Sequence, residues 1–244
     1  MNFCRALALL AAAILPSPVM AGPPYVSDDA EPTDYGHYEI YLFTQGTDAK
    51  GDVSGASGVD FNYGEAPDLQ LTAVLPVEYD DARGQAAVAG IGNVELAAKY
   101  RILHQADMGW DVAVFPRLFL PSASAKVGER HFSLLLPIWL EKDWGKWSTF
   151  GGAGCVIDHG GGARDYCLEG WALARQVLPG LQLGAEIVHQ SATTKGGRAM
   201  TALGAGMKYD LSDNYHLLAY WGPGIENAAE TDRYSWYASI LFTF

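Results

Sequence analysis

The chain has 244 residues, a formal net charge of −12, 49% hydrophobic residues and 28 glycines. No basic stripe offsets the acidity, which argues against nucleic acid as a partner. Beyond the N-terminus no stretch reaches the ~20 apolar residues of a spanning helix, so the apolar and glycine content points instead to many strands.

Met1 to Ala21 reads as a secretory signal peptide, with Arg5 in a short n-region, an apolar run from Ala6 to Leu15 and a Val19-Met20-Ala21 cleavage signal. The run is too short for an anchor, Pro16 and Pro18 follow it, and Cys4 leaves with the peptide. Residues 22–36, "GPPYVSDDAEPTDYG", are Pro-rich, acidic and aperiodic. They are expected to form an irregular leader outside the folded body.

From His37 the pattern changes to period-two segments bounded by Gly, Pro, Asn or Asp, the signature of a transmembrane β-barrel. Strands are predicted at roughly 37–46, 52–63, 68–79, 93–104, 109–120, 130–142, 146–157, 165–177, 180–191, 199–210, 214–222 and 233–244. The fold class is therefore all-β, an up-and-down antiparallel barrel of about twelve strands over 37–244. Connections alternate in length. "GEAPD", "QADM", "KDWGK", "LPG" and "LSDN" suit periplasmic turns, while "GTDAKGD", "YDDARGQAAVAGIG", "LPSASAKVGER", "DHGGGARD", "SATTKGGR" and "GPGIENAAETDR" suit external loops.

Sidedness follows from the cost of charge in lipid. In "NVELAAKYRI" the outward row is Val94, Leu96, Ala98, Tyr100 and Ile102, which leaves Glu95, Lys99 and Arg101 inside. The same alternation predicts inward Glu39, Asp60, Glu78, Asp111, Glu141, Glu169 and Glu186, facing Arg117, Arg175 and Lys208. It adds an aromatic lining of Phe43, Phe115, Phe119, Trp139, Trp171, Tyr220 and Tyr237. These charges either crosslink a filled lumen as ion pairs or orient a passing solute. The closing strand, "YSWYASILFTF", carries an aromatic outward row and ends on Phe244 without a polar tail, as a strand that pairs with the first must. Such an ending also resembles the signature by which barrel assembly machinery recognises its clients.

The glycine-rich strand "WSTFGGAGCVI" has no face assignable from hydrophobicity. Cys155 and Cys167 flank the "DHGGGARD" loop, in an oxidising compartment, and a disulfide between them would place both on the inner side. That loop lacks the Lys-Ser/Thr and the helix of a P-loop. No cofactor motif and no metal-ligand spacing is seen. His189 and Ser191 share an outward face near the external rim, where a lipid ester could reach them. In outer-membrane lipases of this His-x-Ser pattern an Asn follows the Ser; here it is Ala192 and no third member presents itself, so no catalytic residue is assigned and an esterase or lipase acting through Ser191 and His189 is only the competing reading.

Gly184 to Asn227 and Gly90 to Leu103 resemble the outer-membrane proteins of the MetA-pathway of phenol degradation family. The likeness is carried by Glu95 with Lys99 to Arg101, by Glu186 with His189 and Gln190, and by the hairpin Tyr209 to Leu218. It implies transport, in some members linked to aromatic catabolism. The expected protein is a non-enzymatic outer-membrane channel for small aromatic or amphipathic solutes. Arg101, Arg117, Arg175 and Lys208 would attract a carboxylate or phenolate, Glu95, Glu169 and Glu186 would hold them, and Phe115, Trp139 and Trp171 would contact the ring. A barrel plugged for a structural role is the other non-enzymatic reading. Expected partners are outer-membrane lipid, the solute, and the assembly machinery through Phe244.

Overall fold

The structure, a computed structural model, describes residues 24–127, 131–158 and 163–244. The expected signal peptide, 1–21, and its cleavage site lie outside the described residues. The chain runs through β1 (Tyr38–Ala49), β2 (Asp52–Ala66), β3 (Leu69–Asp81), β4 (Val88–Ile91), β5 (Glu95–Leu103), a short helix α1 (Gln105–Met108), β6 (Asp111–Val114), β7 (Arg117–Phe119) and β8 (Ser133–Trp144). It continues through β9 (Trp147–Asp158), β10 (Tyr166–Leu178), β11 (Leu181–Gln190), β12 (Met200–Asp210), β13 (Tyr215–Glu226) and β14 (Tyr234–Thr243).

Neighbouring strands pair antiparallel, and β1 pairs β14 from Glu39↔Thr243 to Asp48↔Tyr234, so the sheet closes on itself. Closure leaves the sheet without an open edge among the described residues, and an unpaired peptide group facing lipid would cost several kcal/mol. Two of the twelve staves are interrupted, and in one of them the added piece, β4, lies in the stretch "YDDARGQAAVAGIG" expected to be an external loop. Between β4 and β5 the pairing with β3 slips by one residue, from Val77↔Ile91 to Val74↔Glu95. The Glu78 carboxylate accepts from the Asn93 N–H at 3.3 Å in this bulge. Between β6 and β7 stands Pro116, which has no N–H to give the ladder. Register continues across the gap, since Phe115 N–H still donates to the Pro137 carbonyl at 3.3 Å. The barrel thus has twelve staves built from fourteen segments.

Pairs of residues such as Pro67–Asp68, Gly145–Lys146 and Pro179–Gly180 make the turns at the end where the chain enters β1, and these mark the periplasmic side. A second external connection departs from expectation. The predicted seven-residue loop after Thr44–Gln45 is strand almost throughout, and only Lys50 and Gly51 turn, at φ 62° and 89°. Both angles suit the two-residue hairpin that matches strand twist.

The outer surface carries the predicted greasy rows, with Leu71, Leu75 and Val77 of β3 and Leu96, Tyr100 and Ile102 of β5 all exposed. The exposed row is what lipid covers. Leu75, 57% exposed at the middle of β3, supplies a test: Leu75→Arg should destabilise the barrel by about 2–4 kcal/mol in urea unfolding from lipid vesicles. A change below about 0.5 kcal/mol would mean that this face does not meet lipid.

Candidate functional site in the barrel lumen

The leader does not lie outside the barrel. From Gly36, whose positive φ of 79° turns the chain at the periplasmic mouth, residues 34 back to 24 run up into the lumen and cross it from the β3 wall to the β11 wall. Ser27, Asp29, Ala30 and Thr33 are each at most 4% exposed. Irregular backbone inside a barrel must find partners for its N–H groups, and inward side chains provide them. Gln70 accepts from Thr33 N–H at 2.8 Å, Glu141 from Ala30 N–H at 3.2 Å, and Glu186 from Ser27 and Val26 N–H at 2.5 and 3.1 Å. Lys99, 4% exposed, takes two of the segment's carboxylates, Asp28 at 3.0 Å and Asp29 at 2.8 Å, and donates to the Glu31 carbonyl at 3.2 Å.

A cradle of small side chains makes the room. The inward rows of β10, β11 and β12 include Gly170, Ala172, Ala174, Gly184 and Gly206. A Cβ at Gly184 would collide with the Tyr25 hydroxyl, one at Gly170 with the Ser27 hydroxyl, and one at Gly206 would sit 2.7 Å from the Tyr25 ring. Tyr25 itself packs edge-on against Phe150 and Tyr220, with centroids 5.5 and 6.0 Å away.

Of the residues predicted to line the lumen, Glu95, Lys99, Phe115 and Arg117 form one cluster. Arg117 binds Glu95 in a forked pair at 2.6 and 2.9 Å, a geometry that suits guanidinium and carboxylate. Both cations flank the Phe115 ring, Lys99 at 5.2 Å and Arg117 at 5.4 Å from its centroid. Arg101 sits nearer the mouth, at 2.9 Å from Asp68 and 3.7 Å from Asp111. Lys208 lines the cavity without an ion pair among the described residues. Glu186 and Trp139 are inward as predicted; Glu186 binds the segment, and Trp139, 1% exposed, is sealed beside Gly152.

Three predicted residues face the other way. In β10 the buried row is Ala172 and Ala174, and Glu169, Trp171 and Arg175 stand in the exposed row. The reason is the cradle: the inner positions must be small to admit the segment, so the bulky and charged residues fall outside. Cys155 and Cys167 do form the expected disulfide, directly opposite each other in the β9–β10 register. Both lie in the exposed rows, however, and not on the inner side. His189 and Ser191 engage separate partners at the external end of β11. His189 Nδ1 is 2.8 Å from Thr201 Oγ1, and Ser191 Oγ accepts from Cys167 N–H at 2.9 Å.

The segment leaves a cavity of about 720 Å³ against β1, β2, β3 and β14. A second space of about 280 Å³ toward the external side shares Phe43, Gln45, Ala56, Val74, Glu78 and Glu95 with it, so the two adjoin. Sequence reasoning found several of the lining groups but not the segment that shapes the space. Along the wall Phe43 stacks parallel to Tyr237 at 6.4 Å, and Tyr41 donates to Glu39 at 3.0 Å. Carboxylates prevail: Asp28, Asp29, Glu31, Glu39, Asp60, Glu78, Asp80 and Glu95 line the larger space against Lys99, Arg117 and Lys208.

Residues 41–232 match the family of the MetA-pathway of phenol degradation. The chain belongs to this family. Among curated proteins none matches in sequence. Among solved structures, the COG4313 outer membrane channel from Pseudomonas putida F1 is similar with a TM-score of 0.70 and 17% identity, over 88% of this chain and 98% of that one. The KdgM porin, solved in complex with disordered oligogalacturonate, is similar with a TM-score of 0.58 and 11% identity, over 84% and 99%. The CymD monoaromatic hydrocarbon channel follows with a TM-score of 0.50 and 10% identity, over 86% and 88%. At these identities the likeness establishes an outer-membrane barrel fold.

The anchoring of the segment can be tested directly. With Ser27→Cys as a reporter, a membrane-impermeant maleimide should label the otherwise unaltered barrel poorly. Adding Glu141→Ala and Glu186→Ala, which removes acceptors for the Ala30, Val26 and Ser27 N–H groups, should raise labelling at least about tenfold, the ratio expected for ~1.4 kcal/mol of lost anchoring. Equal labelling would mean that these carboxylates do not hold the segment.

Proposed function

We propose that this protein is a passive outer-membrane channel for small, neutral or weakly cationic, aromatic or amphipathic molecules. The observation that carries the reading is the pair of adjoining cavities beside the internal segment, walled by aromatic rings and by an excess of carboxylates. The aromatic surface offers a ring a face on which to stack, and the carboxylates offer acceptors to a hydroxyl or amino substituent. The family name and the description of CymD as a monoaromatic hydrocarbon channel agree with an aromatic solute.

The charge balance redirects the expectation about solute charge. Arg101 and Arg117 are held by carboxylates, Lys99 by the segment, and Arg175 lies outside. Of these predicted lumen cations and among the described residues, Lys208 alone is left to attract a carboxylate or phenolate, so anionic aromatics should pass less readily than their neutral counterparts. Acid-lined pores favour cations by the same electrostatics. No residue is assigned a catalytic role. The reading includes cleavage of the signal peptide after Ala21 and recognition of Phe244 by the assembly machinery.

Planar-bilayer recording tests this. The purified protein should conduct, and in a KCl gradient its reversal potential should report K⁺ passing several times faster than Cl⁻. Neutralising Glu39, Asp60 and Glu78 to their amides should bring that ratio towards unity. Absence of any conductance would favour a plugged structural barrel, and a preference for Cl⁻ would overturn the proposed lumen electrostatics. In vesicle-swelling assays phenol should enter faster than benzoate or a disaccharide.

A further inference from the structure

The outer wall at the periplasmic end of β8, β9 and β10 carries an unusual concentration of tryptophan and positive charge. Four of the seven tryptophans gather here, Trp110, Trp144, Trp147 and Trp171. Trp110 and Trp171 meet edge to face at 6.1 Å, and the Trp171 indole N–H donates to Thr149 Oγ1 at 2.8 Å, which ties the pair to the wall. Lys142 Nζ lies 5.3 Å from the Trp110 ring centroid, and the Arg175 guanidinium carbon lies 4.9 Å from that of Trp147. Lys146, exposed in the Gly145–Lys146 turn, is a third cation at this end.

None of these three cations makes an ion pair among the described residues. The outward rows that surround them on β8 to β11 are Leu140, Thr149, Leu173, Leu181 and Leu183, and the nearest outward acid on β10, Glu169, stands toward the opposite end of the strand. A cation directed at hydrocarbon without a partner is costly. At headgroup depth the same cation meets lipid phosphate, and indole rings prefer that boundary. Lys142 lies close to the β8–β9 turn, and Arg175 stands opposite Trp147, the first residue after that turn. The patch is therefore on the periplasmic side, which excludes the lipid of the outer leaflet as its occupant.

We propose that this face is a binding site for an anionic glycerophospholipid of the inner leaflet. Lys142, Lys146 and Arg175 hold the phosphate and acidic headgroup, and the tryptophans flank the glycerol region and upper acyl chains. The site is separate from the lumen and does not depend on what the channel carries.

Native mass spectrometry of the intact protein, loaded with defined lipids, tests the assignment. Phosphatidylglycerol should remain bound under collision energies that strip phosphatidylethanolamine, and lipid A should not displace it. The triple variant Lys142→Gln, Lys146→Gln, Arg175→Gln should lose phosphatidylglycerol retention by roughly fivefold per cation removed, with an unchanged heat-dependent gel shift. Equal retention by parent and variant, equal retention of both lipids by the parent, or displacement by lipid A would overturn it. Should the triple variant fail to fold, a barrel with Trp221→Phe and Trp236→Phe keeps the question open to measurement. Its tryptophan emission should be quenched more by bromine-labelled phosphatidylglycerol than by the labelled ethanolamine lipid, and the difference should shrink in high salt; equal quenching would count against the site.

Discussion

In hydrocarbon every peptide N–H and C=O needs a partner from the chain itself, and the closure of β1 on β14 meets that demand. Most other features follow from it. Pairing Tyr38 N–H with the Phe244 carbonyl fixes the start of the first strand at the periplasmic mouth, so the residues before it have few routes. They cannot continue along the lipid face as irregular backbone. Gly36 turns them inward, and the lumen then has to satisfy a second set of peptide groups.

That second demand explains an otherwise puzzling ledger of charge. Inward carboxylates outnumber inward cations, which would be costly if each acid required an ion pair. Glu141 and Glu186 do not have one: they accept hydrogen bonds from the backbone of the internal segment, as Gln70 does with its amide oxygen. Lys99 is matched to two segment acids. The segment and the wall are complementary, and the unfilled part of the lumen keeps the carboxylates that the segment does not use. The selectivity proposed for the channel is thus a residue of how its own leader is held.

The alternation made the strands legible, because a face exposed to lipid has to be apolar over about ten residues at a time. All twelve predicted strand positions correspond to observed ones, one of them in interrupted form, while β4 falls in a stretch expected to be loop. The leader was not legible as an internal element, since Pro, Asp and Glu in an aperiodic run look alike whether water or a polar lumen surrounds them. The signal lay elsewhere, in Glu141 and Glu186 lacking inward cations and in the small inner positions of β10 to β12. The assumption that charge always faces in misplaces Glu169 and Arg175, and Trp171 follows their register. That assumption holds at mid-membrane and fails near the ends of a strand, where lipid headgroups replace hydrocarbon. The cysteines followed the same error, because their face was inferred from β10.

The two departures on β10 have one cause. A strand whose inner face must be Gly and Ala to accommodate Ser27 and Tyr25 can place bulk only on its outer face. Trp171 there shields Gly151, where a Cβ would come within 2.8 Å of the indole, and Arg175 rests over Trp147. Inner and outer surfaces are therefore not independent choices. The requirement to seat the leader pushes aromatic and cationic side chains toward the bilayer, and their position near the periplasmic turns makes those side chains compatible with lipid. A sequence that moved Arg175 to mid-strand would keep the cradle but face hydrocarbon with an unpaired charge, so the height of that residue is constrained as tightly as its side.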